Sequence, residues 1–386
     1  MRFIKEFSPT YFLSSLGAGG LSVSFYMYLM FLVPHKGTPM ATFDQIYPTL
    51  LKGTWLSFLS GFALVFIIFF AFLHIKLLYW NTKQYANYKK SEAFKTLLGS
   101  NARVTLMAIP LTYTMTINVF FVLGATFVPK LWRVIEYMFP FALTGFIIAG
   151  FFALKILLEY YSQIMTEGNF DFEKNNNLSQ LLAVFALAMV AVGFAAPAAM
   201  SHNIVVNAMG FFGAILFASF SLILIFIQLT LGFKSIFKQG VSVEASPSLW
   251  VMIPILTLLG IMSIRLFFGL EHNLEAHMDK STLFILTSFV LSLEIVFGLL
   301  GYMVLKQSDY FKKFIYSSIK SSTAFALICP GVAFFVFGMF FLNFGLVVNG
   351  IVAKYSIAHF ILMLPFIYVQ FLTIKLFFTL KSKFSL

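Results

Sequence analysis

Residues 321–341 read SSTAFALICPGVAFFVFGMFF, a run apolar and long enough to cross a bilayer. It contains the only cysteine of the chain, Cys329, followed by Pro330 and Gly331. Proline at 330 cannot donate a hydrogen bond to the carbonyl of Ala326, and the glycine leaves that gap unshielded. In lipid, a freed backbone group is tolerated only where protein or a water-filled cavity satisfies it. We therefore expect a helix that is broken near mid-depth and that lines a pathway.

The composition of the whole chain is that of a membrane protein. Of 386 residues, 60% are hydrophobic and 10% are charged, whereas soluble domains have roughly 25% charged residues. We expect one polytopic transmembrane domain over residues 1–386, without a soluble domain. The net charge of +12 is explained by membrane orientation, so no nucleic-acid partner is expected. One cysteine excludes an internal disulfide and a cysteine-built metal site, and no nucleotide or nucleophile motif is present, so neither an enzyme nor a cofactor is predicted.

Ten apolar segments have spanning length, since about 20 residues cross the hydrocarbon layer. They predict an all-α integral membrane fold of five helical hairpins. The first segment is expected to be retained as a helix, because it is too long for a signal-peptide core. The predicted helices cover residues 12–33, 54–78, 103–127, 134–160, 178–200, 207–231, 249–270, 281–305, 321–343 and 353–379.

The distribution of lysine and arginine predicts the orientation. Six basic residues lie in the loops that follow odd-numbered helices and Arg265 lies within a helix, which leaves 19 of the 26 on the side of the two termini. By the positive-inside rule, both termini are cytoplasmic. We expect a multi-pass protein of the inner or plasma membrane.

Prolines indicate which helices are internal. Pro110, Pro254 and Pro330 lie five to nine residues past the predicted starts of helices three, seven and nine. Kinked helices with small residues are typical of the lining of a cavity, whereas smoother helices rich in Phe and Leu face lipid. A half-helix that begins inside the membrane would present its positive end to the cavity and would favour an anion. The alternative is that these are ordinary membrane-helix prolines.

Three stretches carry a resemblance to a known family. They are FSPTYFLSSLGAGGLS from Phe7, SPSLW from Ser246 and the Pro-Gly-Val-Ala sequence from Pro330. Together with ten helices in five hairpins, they resemble the TehA family of tellurite-resistance and dicarboxylate transporters, which includes the plant slow-type anion channels. Within that family the chain is most similar to the TsoY branch, some of whose members are selenoproteins, and Cys329 would then occupy the selenocysteine position.

The resemblance implies an inner ring of odd-numbered helices around a central pore, an outer ring of even-numbered helices, and a homotrimer with one pore in each subunit. It also implies conduction of small inorganic or carboxylate anions and closure by a phenylalanine on helix nine. Where relatives read Phe-Gly-Val, this chain reads Pro330-Gly331-Val332. Phe325 and Phe334 are the neighbouring phenylalanines that could replace the missing gate.

Three residues have both a functional and a structural interpretation. Arg265 would attract anions if it faced the pore, or would extend its guanidinium to the outer interface. Glu294 would couple transport to protons, or would be a carboxyl bonded to neighbouring hydroxyl groups. Cys329 would be a reactive thiolate, or a small apolar filler. The alternative to an anion channel or transporter is a membrane redox protein that handles sulfur or selenium through Cys329.

Histidines give little further signal. The sequence EHNLEAHMDK from Glu271 to Lys280 gathers two histidines and three carboxylates, and Glu271 with Glu275 shares a helical face. His272 or His277 could join these carboxylates in a weak divalent metal site. No metalloprotease-like order is present, so a solvated loop is the expected interpretation. His74 and His202 lie near predicted helix ends and are interpreted as interfacial residues.

Overall fold

The computed structural model describes residues 7–274, 277 and 279–386. These residues form an all-helical fold without strands. Ten helices are long and apolar enough to cross a membrane, which confirms the predicted number and identifies a multi-pass membrane protein. They are α1 (Pro9–Leu32), α2 (Trp55–Tyr88), α3 (Asn101–Phe127), α4 (Ile135–Glu167), α5 (Leu181–Met200), α6 (Ile204–Gln239), α7 (Ser246–Asn273), α8 (Lys280–Gln307), α9 (Ser322–Val347) and α10 (Ile357–Phe384).

Three even-numbered helices are longer than the sequence predicted. Helices α2, α4 and α6 continue beyond the predicted ends at 78, 160 and 231 to Tyr88, Glu167 and Gln239. Helices α4 and α6 end at Gly168 and Gly240, whose φ angles are 64° and 75°. Glycine adopts this left-handed region without steric cost and commonly ends helices. The apolar stretch therefore marks the part that can lie in the membrane, and the glycine marks the end of the helix.

The prolines of three odd-numbered helices lie in a first α-helical turn. Helices α3, α7 and α9 begin with 3₁₀ turns, and their regular α-helical parts begin at Ala108, Met252 and Ile328. Pro110, Pro254 and Pro330 are each the third residue of that part. The expectation of a break near mid-depth in α9 is wrong, because the backbone passes from a 3₁₀ turn into a continuous helix up to Phe340, followed by a π-helical turn over Phe341–Val347.

The expected positive helix ends are also not free. The N–H of Ala108 donates to carbonyls of the preceding 3₁₀ turn, and the N–H of Ile328 donates to the carbonyl of Phe325. A helix terminus attracts an anion through N–H groups that lack a partner. The proposed attraction for anions must therefore come from side chains.

Odd-numbered helices are more buried than even-numbered ones. In the most apolar 18-residue window of each helix, 50–94% of the residues are buried in the odd-numbered helices and 22–39% in the even-numbered ones. Helix α1 packs against α3 and α9, and α5 packs against α3 and α7, while α7 also packs against α9. Each odd-numbered helix also contacts the even-numbered helix that follows it.

Small residues allow α1 to approach its neighbours closely. A Cβ atom at Gly17 would lie 2.7 Å from Cγ2 of Ile328 in α9, closer than carbon atoms pack. On another side of α1, the buried His74 of α2 joins three helices. Its Nδ1 lies 2.8 Å from the carbonyl oxygen of Ser15, and its Nε2 lies 2.9 Å from Oγ1 of Thr116 in α3. His74 was expected near a helix end, but α2 continues well beyond it to Tyr88, and the side chain is buried between helices.

Candidate functional site

A cavity of about 830 Å³ lies between the odd-numbered helices. Every residue of its lining belongs to α1, α3, α5, α7 or α9, or to the segments that follow α1 and α9. The deepest lining residues on three helices are Leu16, Pro254 and Cys329, which we call the floor. The opposite end, lined by His35, Glu271, His272 and Lys354, is called the mouth. Glu271, His272 and Lys354 are exposed, so the cavity opens there.

Arg265 is the charged residue that lies deepest along the lining. It precedes the end of α7 by eight residues, or about 12 Å at 1.5 Å per residue. Its Nη1 donates a hydrogen bond of 2.8 Å to the carbonyl oxygen of Val192 in α5. None of the ion pairs found among the described residues involves Arg265. A guanidinium in a membrane interior costs about 3 kcal/mol or more and usually faces a cavity or a partner, and here it faces the cavity.

Neutral polar side chains are few in the lining, and most are already bonded. The hydroxyl of Tyr26 donates to the carbonyl of Ala41 over 2.7 Å, and Nδ2 of Asn343 donates to the carbonyl of Met339 over 2.8 Å. Nδ2 of Asn118 lies 3.4 Å from the sulfur of Met189. The rest of the lining is mainly apolar, with methionines prominent: Met27, Met30, Met40, Met115, Met189 and Met200.

Two groups at the mouth, both outside the spanning helices, have shifted pKa values. Burial lowers the pKa of His35, the nearby Lys354 lowers it further, and a hydrogen bond from its ring to the carbonyl of Val33 acts in the opposite direction. Lys354 is exposed as a residue but partly shielded by its neighbours, and this partial burial lowers its pKa. Glu271 is the one carboxylate among the described residues of the lining. Lysine and arginine therefore outnumber carboxylate in the cavity.

Glu294 lies behind the lining and not in it. Its side chain is fully buried in α8, and Oε1 accepts a hydrogen bond of 2.6 Å from Oγ1 of Thr257. Oε2 has no hydrogen-bond partner among the described residues. Thr257 is itself a lining residue. One hydroxyl group therefore separates the buried carboxyl from the cavity.

Of the other predicted site residues, Pro254 and Cys329 lie in the lining and five do not. Phe325 is fully buried and packs against the rings of Tyr11 and Phe384, with centroids 6.1 and 5.1 Å away. Phe334 packs on Phe366 of α10, with centroids 5.2 Å apart. The remaining three outside the lining are Pro110, Pro330 and Gly331.

Gly331 faces α10, because a Cβ atom there would overlap Oγ1 of Thr373. The phenylalanines that do line the cavity on α9 are Phe340 and Phe344. Their rings contact Phe31 of α1 at centroid distances of 5.2 and 5.6 Å, and Phe344 contacts Phe268 of α7 at 5.2 Å. An aromatic cluster from three helices thus borders the half of the cavity near the mouth. Its sequence signal is a group of three phenylalanines near the end of helix nine, Phe340, Phe341 and Phe344.

The loop from Glu271 to Lys280 is only partly described, and Glu275 lies outside the described residues. Within the part of the chain that the structure describes, no group of three or more His, Cys, Asp or Glu side chains could hold a metal ion. His202, which was expected at an interface, is exposed at the link between α5 and α6, and its ring contacts that of His272.

The fold and the cavity define a multi-pass membrane protein with an internal, partly basic cavity. Comparison with known proteins adds no family, since no protein-family model and no curated protein sequence matches this chain.

Proposed function

We propose that this protein is an anion channel or transporter that moves small inorganic or carboxylate anions through the central cavity. The observation that carries the proposal is Arg265, a permanently charged group that lines the cavity without a carboxylate partner among the described residues. An unpaired cation beside a low-dielectric cavity attracts anions and excludes cations. His35 and Lys354 add basic groups at the mouth.

The rest of the lining is mainly apolar, which favours passage of an anion through the cavity over tight binding of that anion. Conduction requires a site that is favourable enough to enter and weak enough to leave. Arg265 supplies one charge, part of which is satisfied by the carbonyl of Val192. Few other donors face the cavity, so a single anion would not be held by many hydrogen bonds.

The proposed architecture has an inner ring of the five odd-numbered helices and an outer ring of the five even-numbered ones, arranged as hairpins. It is supported by the closed series of contacts from α1 through α3, α5, α7 and α9 back to α1. The greater exposure of the even-numbered helices also supports it, because apolar side chains that face outward suit a lipid environment. With the positive-inside rule, the mouth would face away from the cytoplasm in an inner or plasma membrane. The homotrimer rests on the resemblance to the TehA family alone.

Proton-coupled transport is the second candidate mechanism, and the hydrogen bond between Thr257 and Glu294 favours it. A buried carboxyl one hydroxyl away from the cavity could exchange a proton with it. Glu294→Gln keeps an acceptor for Thr257 and removes the proton site. Loss of uptake driven by a pH gradient, with flux along the anion's own gradient retained, would identify coupling. Equal behaviour of Glu294→Gln and wild type would exclude proton coupling through this carboxyl.

The redox alternative depends on Cys329, which lines the floor and is the only cysteine of the chain. Cys329→Ser is the variant that separates the two functions. The proposed anion path predicts flux close to that of wild type in this variant, whereas a redox protein predicts loss of activity with anion flux unaffected by Arg265→Ala.

Flux in liposomes that contain the purified protein tests the proposal. Chloride, nitrate, sulfite and a dicarboxylate are compared with potassium under a set membrane potential. We expect flux of one or more anions well above that of empty liposomes and no potassium flux. Potassium flux equal to that of the best anion, or no anion flux from correctly folded protein, would contradict the proposed function.

A further inference from the structure

His202 and His272 come together at the mouth of the cavity. The first lies in the link between α5 and α6, and the second is the next-to-last residue of α7. Their ring centroids are 5.7 Å apart, with the ring planes inclined by 74°. Seventy residues of sequence separate them, so spacing alone gave no reason to pair them.

The backbone holds the two histidines in place. One turn before His272, Gly269 lies so close to α5 that a Cβ atom there would be 2.5 Å from the carbonyl oxygen of Ala198. Ala198 lies four residues before His202, which follows the end of α5 at Met200. The two histidines therefore lie close to a point where α5 and α7 touch at the backbone, which limits the distances the rings can sample.

The separation fits two imidazoles that share one metal ion. With Zn–N bonds of about 2 Å in tetrahedral geometry, the two ring centroids lie roughly 5 Å apart. Imidazole nitrogen is a preferred ligand of zinc, nickel and copper. Both rings belong to exposed residues, so an ion could reach them from solvent and keep water in its other positions.

Two carboxylates lie close to the histidine pair. Glu136 accepts hydrogen bonds from the backbone N–H of His202 over 2.9 Å and from the hydroxyl of Ser201 over 2.8 Å. Both carboxylate oxygens of Glu136 thus accept hydrogen bonds. We therefore expect Glu136 to place negative charge near a metal ion without being one of its ligands. Glu271, next to His272, adds a second carboxylate at the mouth.

We propose that His202 and His272 form a binding site for one divalent transition-metal ion, of the Zn²⁺ or Ni²⁺ class, at the rim of the cavity. The site uses two protein ligands, which agrees with the absence of larger clusters of metal-binding side chains among the described residues. The proposed metal site does not depend on the proposed anion path, because metal binding can be measured without transport.

Calorimetric titration of the purified protein with Zn²⁺ tests the proposal. The Cys329→Ser background is used so that a thiol cannot contribute. We expect one saturable site, weakened at least tenfold by His202→Ala and by His272→Ala. His35→Ala, on another part of the mouth, and His277→Ala, which changes an exposed histidine, should bind within about twofold of the background protein. Zn²⁺ should also raise the unfolding temperature of the background protein and not that of His272→Ala.

Two results would overturn the site. One is the lack of saturable binding at millimolar Zn²⁺. The other is a loss of affinity in His277→Ala or His35→Ala as large as that in His272→Ala, which would place the ion elsewhere. His202 and His272 would then contact each other without binding a metal ion.

Discussion

Thr257 in α7 donates a hydrogen bond of 2.6 Å to Glu294 in α8, and within the described part of the chain this is the one hydrogen bond of that buried carboxyl. The bond joins a side chain of the cavity lining to a carboxyl that has no contact with the cavity. It therefore matters both for stability and for any coupling of transport to protons.

The pair predicts a strong non-additivity of substitutions. Thr257→Val removes the only donor that the described residues supply to a fully buried carboxyl, and it should lower the free energy of unfolding by about 1–3 kcal/mol. The double variant Thr257→Val/Glu294→Leu replaces both polar groups and should recover most of that loss. Thermal unfolding in detergent measures the cycle. Equal destabilisation of the single and double variants would show that the bond has no such role.

Replacement of Gly331 by alanine should create a packing defect, which a second substitution should relieve. In Gly331→Ala the new methyl group overlaps Oγ1 of Thr373 in α10, and overpacking of this kind costs about 1–3 kcal/mol. Thr373→Ala removes that oxygen, so the double variant should regain stability. Gly61→Ala is the control, because its Cβ atom would meet only Cδ2 of Leu50 at 3.8 Å. An unchanged unfolding temperature for Gly331→Ala would contradict the close packing of α9 on α10.

The sequence predicted the number of helices because spanning length and apolar composition are local properties. It placed the ends of α2, α4 and α6 too early, because a helix that leaves the membrane continues until a residue such as Gly168 or Gly240 ends it. For Arg265 the sequence left two interpretations open, and the structure places it in the cavity lining.

The rest of the site depends on tertiary contacts that spacing does not encode. Whether Phe334 or Phe340 faces the cavity depends on the rotation of α9 about its axis, which packing against α10 determines. The meeting of His202 with His272 depends on the close approach of α5 and α7. The burial of His74 likewise depends on tertiary contacts, since its two hydrogen-bond partners lie in α1 and α3.

Substitution of Lys354 should shift the pKa of His35 at the mouth. Burial and the nearby Lys354 both lower the pKa of His35, so this imidazole becomes protonated only below its ordinary value near 6.5. Lys354→Gln removes the positive charge and should raise the pKa of His35, while Lys52→Gln, an exposed lysine outside the cavity, should not change it. A titration of labelled histidine by NMR measures this. The neutral form of His35 is favoured in the folded state. The contribution of this preference to the free energy of unfolding is therefore lost as the pH falls through the lowered pKa.

Cys329 offers a direct probe of the charge of the cavity. It is the only cysteine of the chain and lies at the floor, while Arg265 lines the same cavity between the floor and the mouth. A negatively charged thiol reagent should react faster than a positively charged one of similar size, by several-fold at low salt. Arg265→Ala should remove most of that preference. Equal rates in wild type would show that the cavity has no preference for anions.

The most direct measurement is anion flux in liposomes for Arg265→Ala, Arg265→Lys and Arg133→Ala. Arg133 is exposed outside the cavity, in the segment between α3 and α4 on the same side as the mouth, and serves as the control for the loss of one arginine. The proposed anion path predicts at least tenfold lower flux in Arg265→Ala, partial retention in Arg265→Lys and wild-type flux in Arg133→Ala. Flux in Arg265→Ala equal to that in Arg133→Ala, with both proteins folded, would contradict it.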